Sequence, residues 1–162
     1  MNVASPEPAQ AYLQLRERVL KLNPSDVGLF PSGDAPDVWG VLMEIGYDVG
    51  TATLVSLADG TTSLYYSTGG GMIGSGKYSP VAQASKALVA EAQIHLNHLP
   101  ATTDFPLPGV GQVRFYFMTY SGILLTEATE KDLATGRHAL SPLYQYAQET
   151  LTQLRLLAQK KR

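Results

Sequence analysis

The sequence predicts a single α+β domain: a five-stranded antiparallel sheet with helices packed on it, in the order α-βββ-α-ββ-α. Three observations predict this. Segments with period-two apolar alternation follow one another across tight-turn dipeptides, which forces antiparallel pairing. Other segments carry apolar residues at helical spacing and begin or end on proline. The chain of 162 residues, 44% apolar and 16% charged, suits one globular domain with a real core.

The domain is expected to span residues 1–162, with 1–7 as a flexible lead-in. A first helix is predicted over residues 8–22, where Tyr12, Leu15, Val19 and Leu22 recur at helical spacing and Arg16, Glu17 and Arg18 fill polar positions. Asn23-Pro24 ends it, because proline disfavours a helical residue before it. Gly28, Pro31, Gly33 and Pro36 make residues 25–37 a connector.

Three strands follow. In residues 38–48, Trp39, Val41, Met43, Ile45 and Tyr47 are expected on one buried face, with Gly40, Glu44, Gly46 and Asp48 on the other. Val49-Gly50 turns into a second strand over 51–58, rich in β-branched residues. Asp59-Gly60, the strongest short-range hairpin signal in the chain, leads to a third strand over 61–68. After a glycine-rich loop, Ser79-Pro80 is expected to open a helix as cap and first helical residue, with Val81, Ala84, Leu88, Ala92, Leu96 and Leu99 as its apolar stripe and Pro100 as its end. Residues 101–111 read as a loop. A second hairpin is predicted from strands over 112–120 and 122–128, and Ser141-Pro142 starts a terminal helix whose inner face carries Leu143, Ala147, Leu151, Leu154 and Ala158.

Composition removes several classes of function. A formal charge of −2 and a pI near 5.9 supply no attraction to nucleic acid or anionic lipid, so neither is expected as a partner. The one basic cluster, Lys160-Lys161-Arg162, suits the solvated end of a helix. With no cysteine, disulfides, thiolate catalysis and cysteine-ligated zinc are excluded. The N-terminus has neither the basic start nor the apolar centre of a signal peptide, and no run approaches the ~18 apolar residues of a membrane span. A cytoplasmic protein is the expectation.

The chemistry-bearing candidate is the loop Gly69-Gly70-Gly71-Met72-Ile73-Gly74-Ser75-Gly76-Lys77-Tyr78-Ser79, in which Gly71 to Lys77 spells G-x-x-x-x-G-K. A phosphate loop needs backbone N–H groups around the phosphate, a reaching lysine, and a Ser or Thr after it to hold magnesium. Here Tyr78 takes the hydroxyl position, and Pro80 places the helix start after Lys77. Nucleotide hydrolysis is therefore not expected. Gly69, Gly70, Gly71, Gly74, Ser75, Gly76 and Lys77 stay as candidates for holding an anion or a partner's carboxylate.

Other patterns are blander. Glu91, His95 and His98 share a helical face without the H-E-x-x-H spacing, and they read as an outer face near a helix end. Ser67, Ser75, Ser79 and Ser121 lack a nucleophile-elbow context, and Glu127, Glu130, Lys131 and Asp132 read as a solvated connector. No cofactor or metal is expected. The aromatic residues are more telling. On the fourth strand Val113, Phe115 and Phe117 share one face while Arg114, Tyr116, Met118 and Tyr120 share the other, so both faces need cover. Tyr65, Tyr116, Met118 and Tyr120 are the candidate interaction surface should that cover come from another molecule.

The run Thr53-Leu54-Val55-Ser56-Leu57-Ala58-Asp59-Gly60, then Ser63-Leu64-Tyr65-Tyr66, a loop, a helix, and strands over 113–119 and 122–126 resembles the profilin-like and roadblock group of small domains. It covers the chain from Trp39 onward. The resemblance implies a sheet sandwiched by helices and a regulatory or scaffolding role, often as a dimer. The order helix-βββ-helix-ββ-helix is also similar to type III secretion chaperones, which are acidic cytoplasmic homodimers that hold an effector's unfolded segment. The expected function is a non-enzymatic protein-interaction or regulatory module, homodimeric, with an unidentified protein partner. The alternative is a nucleotide- or phospholigand-binding protein using residues 69–77.

Overall fold

A computed structural model describes residues 7–31, 33 and 37–160. The lead-in expected of residues 1–7 lies outside these apart from Glu7, as do Lys161 and Arg162. The expected class holds, with a single antiparallel sheet and helices packed on it, but among the described residues the sheet has seven strands rather than five. In chain order they are β1 (Val38–Tyr47), β2 (Gly50–Leu57), β3 (Thr62–Tyr66), β4 (Gly71–Met72), β5 (Ala101–Thr102), β6 (Gln112–Thr119) and β7 (Gly122–Thr129). They are arranged β4-β3-β2-β1-β6-β7-β5, every neighbour antiparallel. The two additional strands are two-residue pieces at the opposite edges. Two residues contain no period to read, so the alternation that reveals the other five could not reveal these. Short edge strands also blunt a sheet against pairing with other chains.

Among the described residues four helices accompany the sheet: α1 (Gln10–Leu20), α2 (Ser79–Ile94), α3 (Glu130–Ala134) and α4 (Ser141–Lys160). Short 3₁₀ turns lie at Pro24–Val27 and Ser75–Lys77. The order therefore departs from α-βββ-α-ββ-α by two strands and by α3, which occupies the stretch read as a solvated connector; Thr129 caps α3 by accepting from the Asp132 N–H. No helix among the described residues is long and apolar enough to cross a membrane.

Both sheet faces are covered. Val41, Met43, Ile45, Leu54, Val113, Phe115 and Phe117 pack with Val81, Leu88 and Ala92 of α2 and Leu143, Ala147 and Leu154 of α4. The opposite face, with Leu42, Val55, Leu57, Tyr65, Tyr116 and Met118, lies under Tyr12 and Leu20 of α1 and under Phe105 and Leu107 of the loop before β6. The predicted split of β6 into two apolar faces is thus realised, one toward each layer.

Several local expectations need correction. Trp39 does not share a face with Val41: a β-bulge between Val38 and Gly40 slips the register, so Trp39 joins Leu42 on the α1 side. Glu44 is not on a wet face but fully buried. Ser79 does not cap α2; it is the first helical residue, and its hydroxyl accepts from Gln83. Likewise Ser141 lies within α4, its hydroxyl accepting from the His138 N–H. α2 stops at Ile94 rather than running to Leu99, because the chain must turn back, with His98 at φ 68°, to lay β5 against β7.

Candidate functional site

The glycine loop does more folding than its composition suggests. Gly69 and Gly70 make the turn from β3 into β4, with the Gly69 N–H donating to the Tyr66 carbonyl at 2.9 Å. At Gly71, φ is 143° and an added Cβ would stand 2.0 Å from the Leu64 carbonyl oxygen, so only glycine lets β4 pair there. The Gly74 N–H donates to the Ser63 hydroxyl. Gly76 presses on the β2–β3 hairpin, where a Cβ would meet the Gly60 carbonyl oxygen at 2.4 Å. Ser75 is half-buried and Lys77 is exposed. A depression of about 200 Å³ beside Gly69, Gly70 and Gly71 is walled by Ala11, Leu15, Tyr65, Tyr66 and Ile73, and Lys77 does not reach its lining.

The predicted interaction residues lie under the molecule's own cover. Tyr65, Tyr116 and Met118 are buried in the layer formed with α1, Phe105 and Leu107, and Tyr120 is half-buried at the end of the β6–β7 hairpin. The Tyr116 hydroxyl donates to the Pro106 carbonyl at 3.0 Å. His95 bonds Glu91 at 3.2 Å, while His98 is exposed; among the described residues no group of three metal-ligating side chains converges.

Two features were not foreseen. The first is a buried polar network. Arg16 grips Glu44 through two hydrogen bonds of 2.7 and 2.8 Å and also donates to the Phe105 carbonyl at 2.7 Å. Thr53 donates to the same carboxylate at 2.7 Å and accepts from the Tyr12 hydroxyl at 2.7 Å. Burial, reinforced by the Glu44 charge, pushes the Tyr12 phenol up to about 12. The network therefore pins α1, the sheet and the loop before β6 at one point. Its one available signal was a lone carboxylate inside an otherwise apolar strand.

The second is an apolar cleft of about 360 Å³ between the sheet and the last turns of α4. Register builds its floor from two cross-strand rows on one face. Met43, Leu54, Leu64 and Met72 form one row across β1 to β4, and Ile45, Ala52 and Tyr66 form the next. Helical spacing builds its roof: Leu151, Leu154, Arg155 and Ala158 stand at i, i+3, i+4 and i+7 on α4. The space exists because Ala52 and Ala158 supply no bulk where larger side chains would close it. Tyr47 and Tyr66, each more than 40% exposed, and the exposed Arg155 mark the open side. Burial first, then the Glu130 charge, raises the Tyr47 phenol, which stays a neutral hydrogen-bond donor at ordinary pH.

Chemically the interior of this cleft offers carbon surface, with polar groups confined to its rim. Such a shape takes up an apolar body and orients it by whatever polar end remains outside. The roof stripe was readable in the sequence as the inner face of the last helix; the floor was not, because it depends on register between strands. No family model, curated protein or solved structure matches this chain.

Proposed function

We propose that this protein is a non-enzymatic regulatory or protein-interaction module, and that the cleft between the sheet and α4 takes the apolar part of a second molecule. The cleft itself carries the reading: an open space lined by methionine, leucine, isoleucine and alanine, with two tyrosines and an arginine beside them. Methionine adapts to varied occupants, which suits binding more than it suits a fixed core. An occupant that buries four or five methylenes there gains roughly 3–4 kcal/mol.

The proposal sets the module in the cytoplasm and pairs it with a protein partner and with a second copy of itself. Pairing is assigned to the helix layer, where Ile94 of α2 and Tyr146 and Leu156 of α4 stand exposed, since the outermost strands of the sheet are only two residues long. Light scattering reads the pairing directly: a mass of two chains supports it and a mass of one chain removes it.

The cleft reading is tested with Nile red, an uncharged apolar dye that brightens on leaving water. The native protein should bind it, and Ala158→Phe, which fills the roof, should abolish that binding while leaving the thermal transition in place. Equal brightening in both proteins, or none in the native one, would overturn the reading.

A further inference from the structure

We infer that the occupant of the cleft is a small anionic amphiphile, a single aliphatic chain ending in a carboxylate. This rests on the proposed reading of the cleft and adds the identity of the ligand's head. The lining is apolar throughout its depth, so it asks for a chain without polar atoms along its length. The rim asks for an anion. Arg155 stands on the open side, and among the described residues no carboxylate lies within salt-bridge distance of it. Its guanidinium is a planar fork of donors suited to a carboxylate. Tyr47 and Tyr66 supply phenolic donors on the same rim.

The nearby acid, Glu130, reaches the rim only through space, adding to burial in raising the Tyr47 phenol, and Arg155 remains the charged side chain of the cleft wall. Glu130 is engaged by the Tyr144 hydroxyl, which donates to it at 3.0 Å, and it is not part of the cleft wall. The other arginines of the fold are already committed where they are buried or half-buried: Arg16 to Glu44 and Arg114 to Glu127. Among the described residues, Arg155 thus combines a position on the cleft rim with a charge that no carboxylate pairs. A carboxylate seated between it and the two phenols leaves its tail directed between the cross-strand rows and α4.

The test compares three eight-carbon probes of one tail length, octanoate, octanol and octylammonium, by titration calorimetry on the full chain. Octanoate should bind tightest and octylammonium weakest. Arg155→Gln, an exposed substitution, should weaken octanoate roughly tenfold or more while leaving octanol unchanged. Ala158→Phe should remove binding of octanoate and octanol together. If octanoate binds no tighter than octanol, or if Arg155→Gln leaves it unchanged, the assignment of the head is overturned while Nile red binding still upholds the cleft. If octanoate survives Ala158→Phe, its site lies elsewhere and the inference fails. If neither probe nor Nile red binds, the cleft reading falls with it.

Discussion

Glu44 is fully buried on a central strand, and Arg16 and Thr53 are what make that tolerable. A buried pair of this kind adds little net stability over an apolar pair, yet breaking it strands a charge. Arg16→Leu should therefore destabilise the protein by about 3–5 kcal/mol, measured by chemical denaturation, whereas Arg16→Leu with Glu44→Leu should recover most of the loss. A double variant as damaged as the single one would show that the charges do more than neutralise each other. The neighbouring phenol gives a pH signature. Tyr12 is raised to about 12 in the folded state against 10 in the unfolded state, so its contribution is complete below pH 10 and is lost as pH climbs toward 12. Stability should fall over that window, and Tyr12→Phe should flatten the fall. Period-two reading put Glu44 on a solvent face because alternation alone cannot tell water from a buried arginine on another element. The same limit misplaced Trp39: a single-residue bulge inverts the alternation on one side of it and leaves no mark in composition.

At the scale of elements, the five longer strands and the three longer helices were legible because each repeats its period several times. β4, β5 and α3 were not, since two to five residues hold less than a full pattern and their place is set by the neighbours they pair with or follow. The glycine loop shows the same dependence. Its motif was visible, but its conformational work appears only once β4 lies against β3 and Gly76 against the Gly60–Thr61 backbone. Gly71→Ala and Gly76→Ala should each cost on the order of 2–3 kcal/mol, through forced movement of backbone that has no free space. Lys77→Ala, at an exposed position, should stay within about 0.5 kcal/mol of the native protein. Millimolar ATP should leave the thermal transition where it is; a rise that Lys77→Ala abolishes would favour the alternative, a phospholigand held by residues 69–77.

For the whole molecule, the sheet separates two apolar layers with different roles. The α1 side is closed by a polar clasp linking α1, β1, β2 and the loop before β6. The α2 and α4 side is left partly open at the end bearing β3 and β4, where two alanines leave room. Methionines report on both layers within one molecule: Met43 and Met72 line the cleft, while Met118 is buried on the opposite face. Methyl NMR of ¹³C-methionine protein during titration with octanol tests directly whether the cleft takes up an apolar body. The Met43 and Met72 signals should shift progressively with Met118 unmoved. Shifts shared by all three, or absent at Met43 and Met72 while octanol binds, would contradict that uptake.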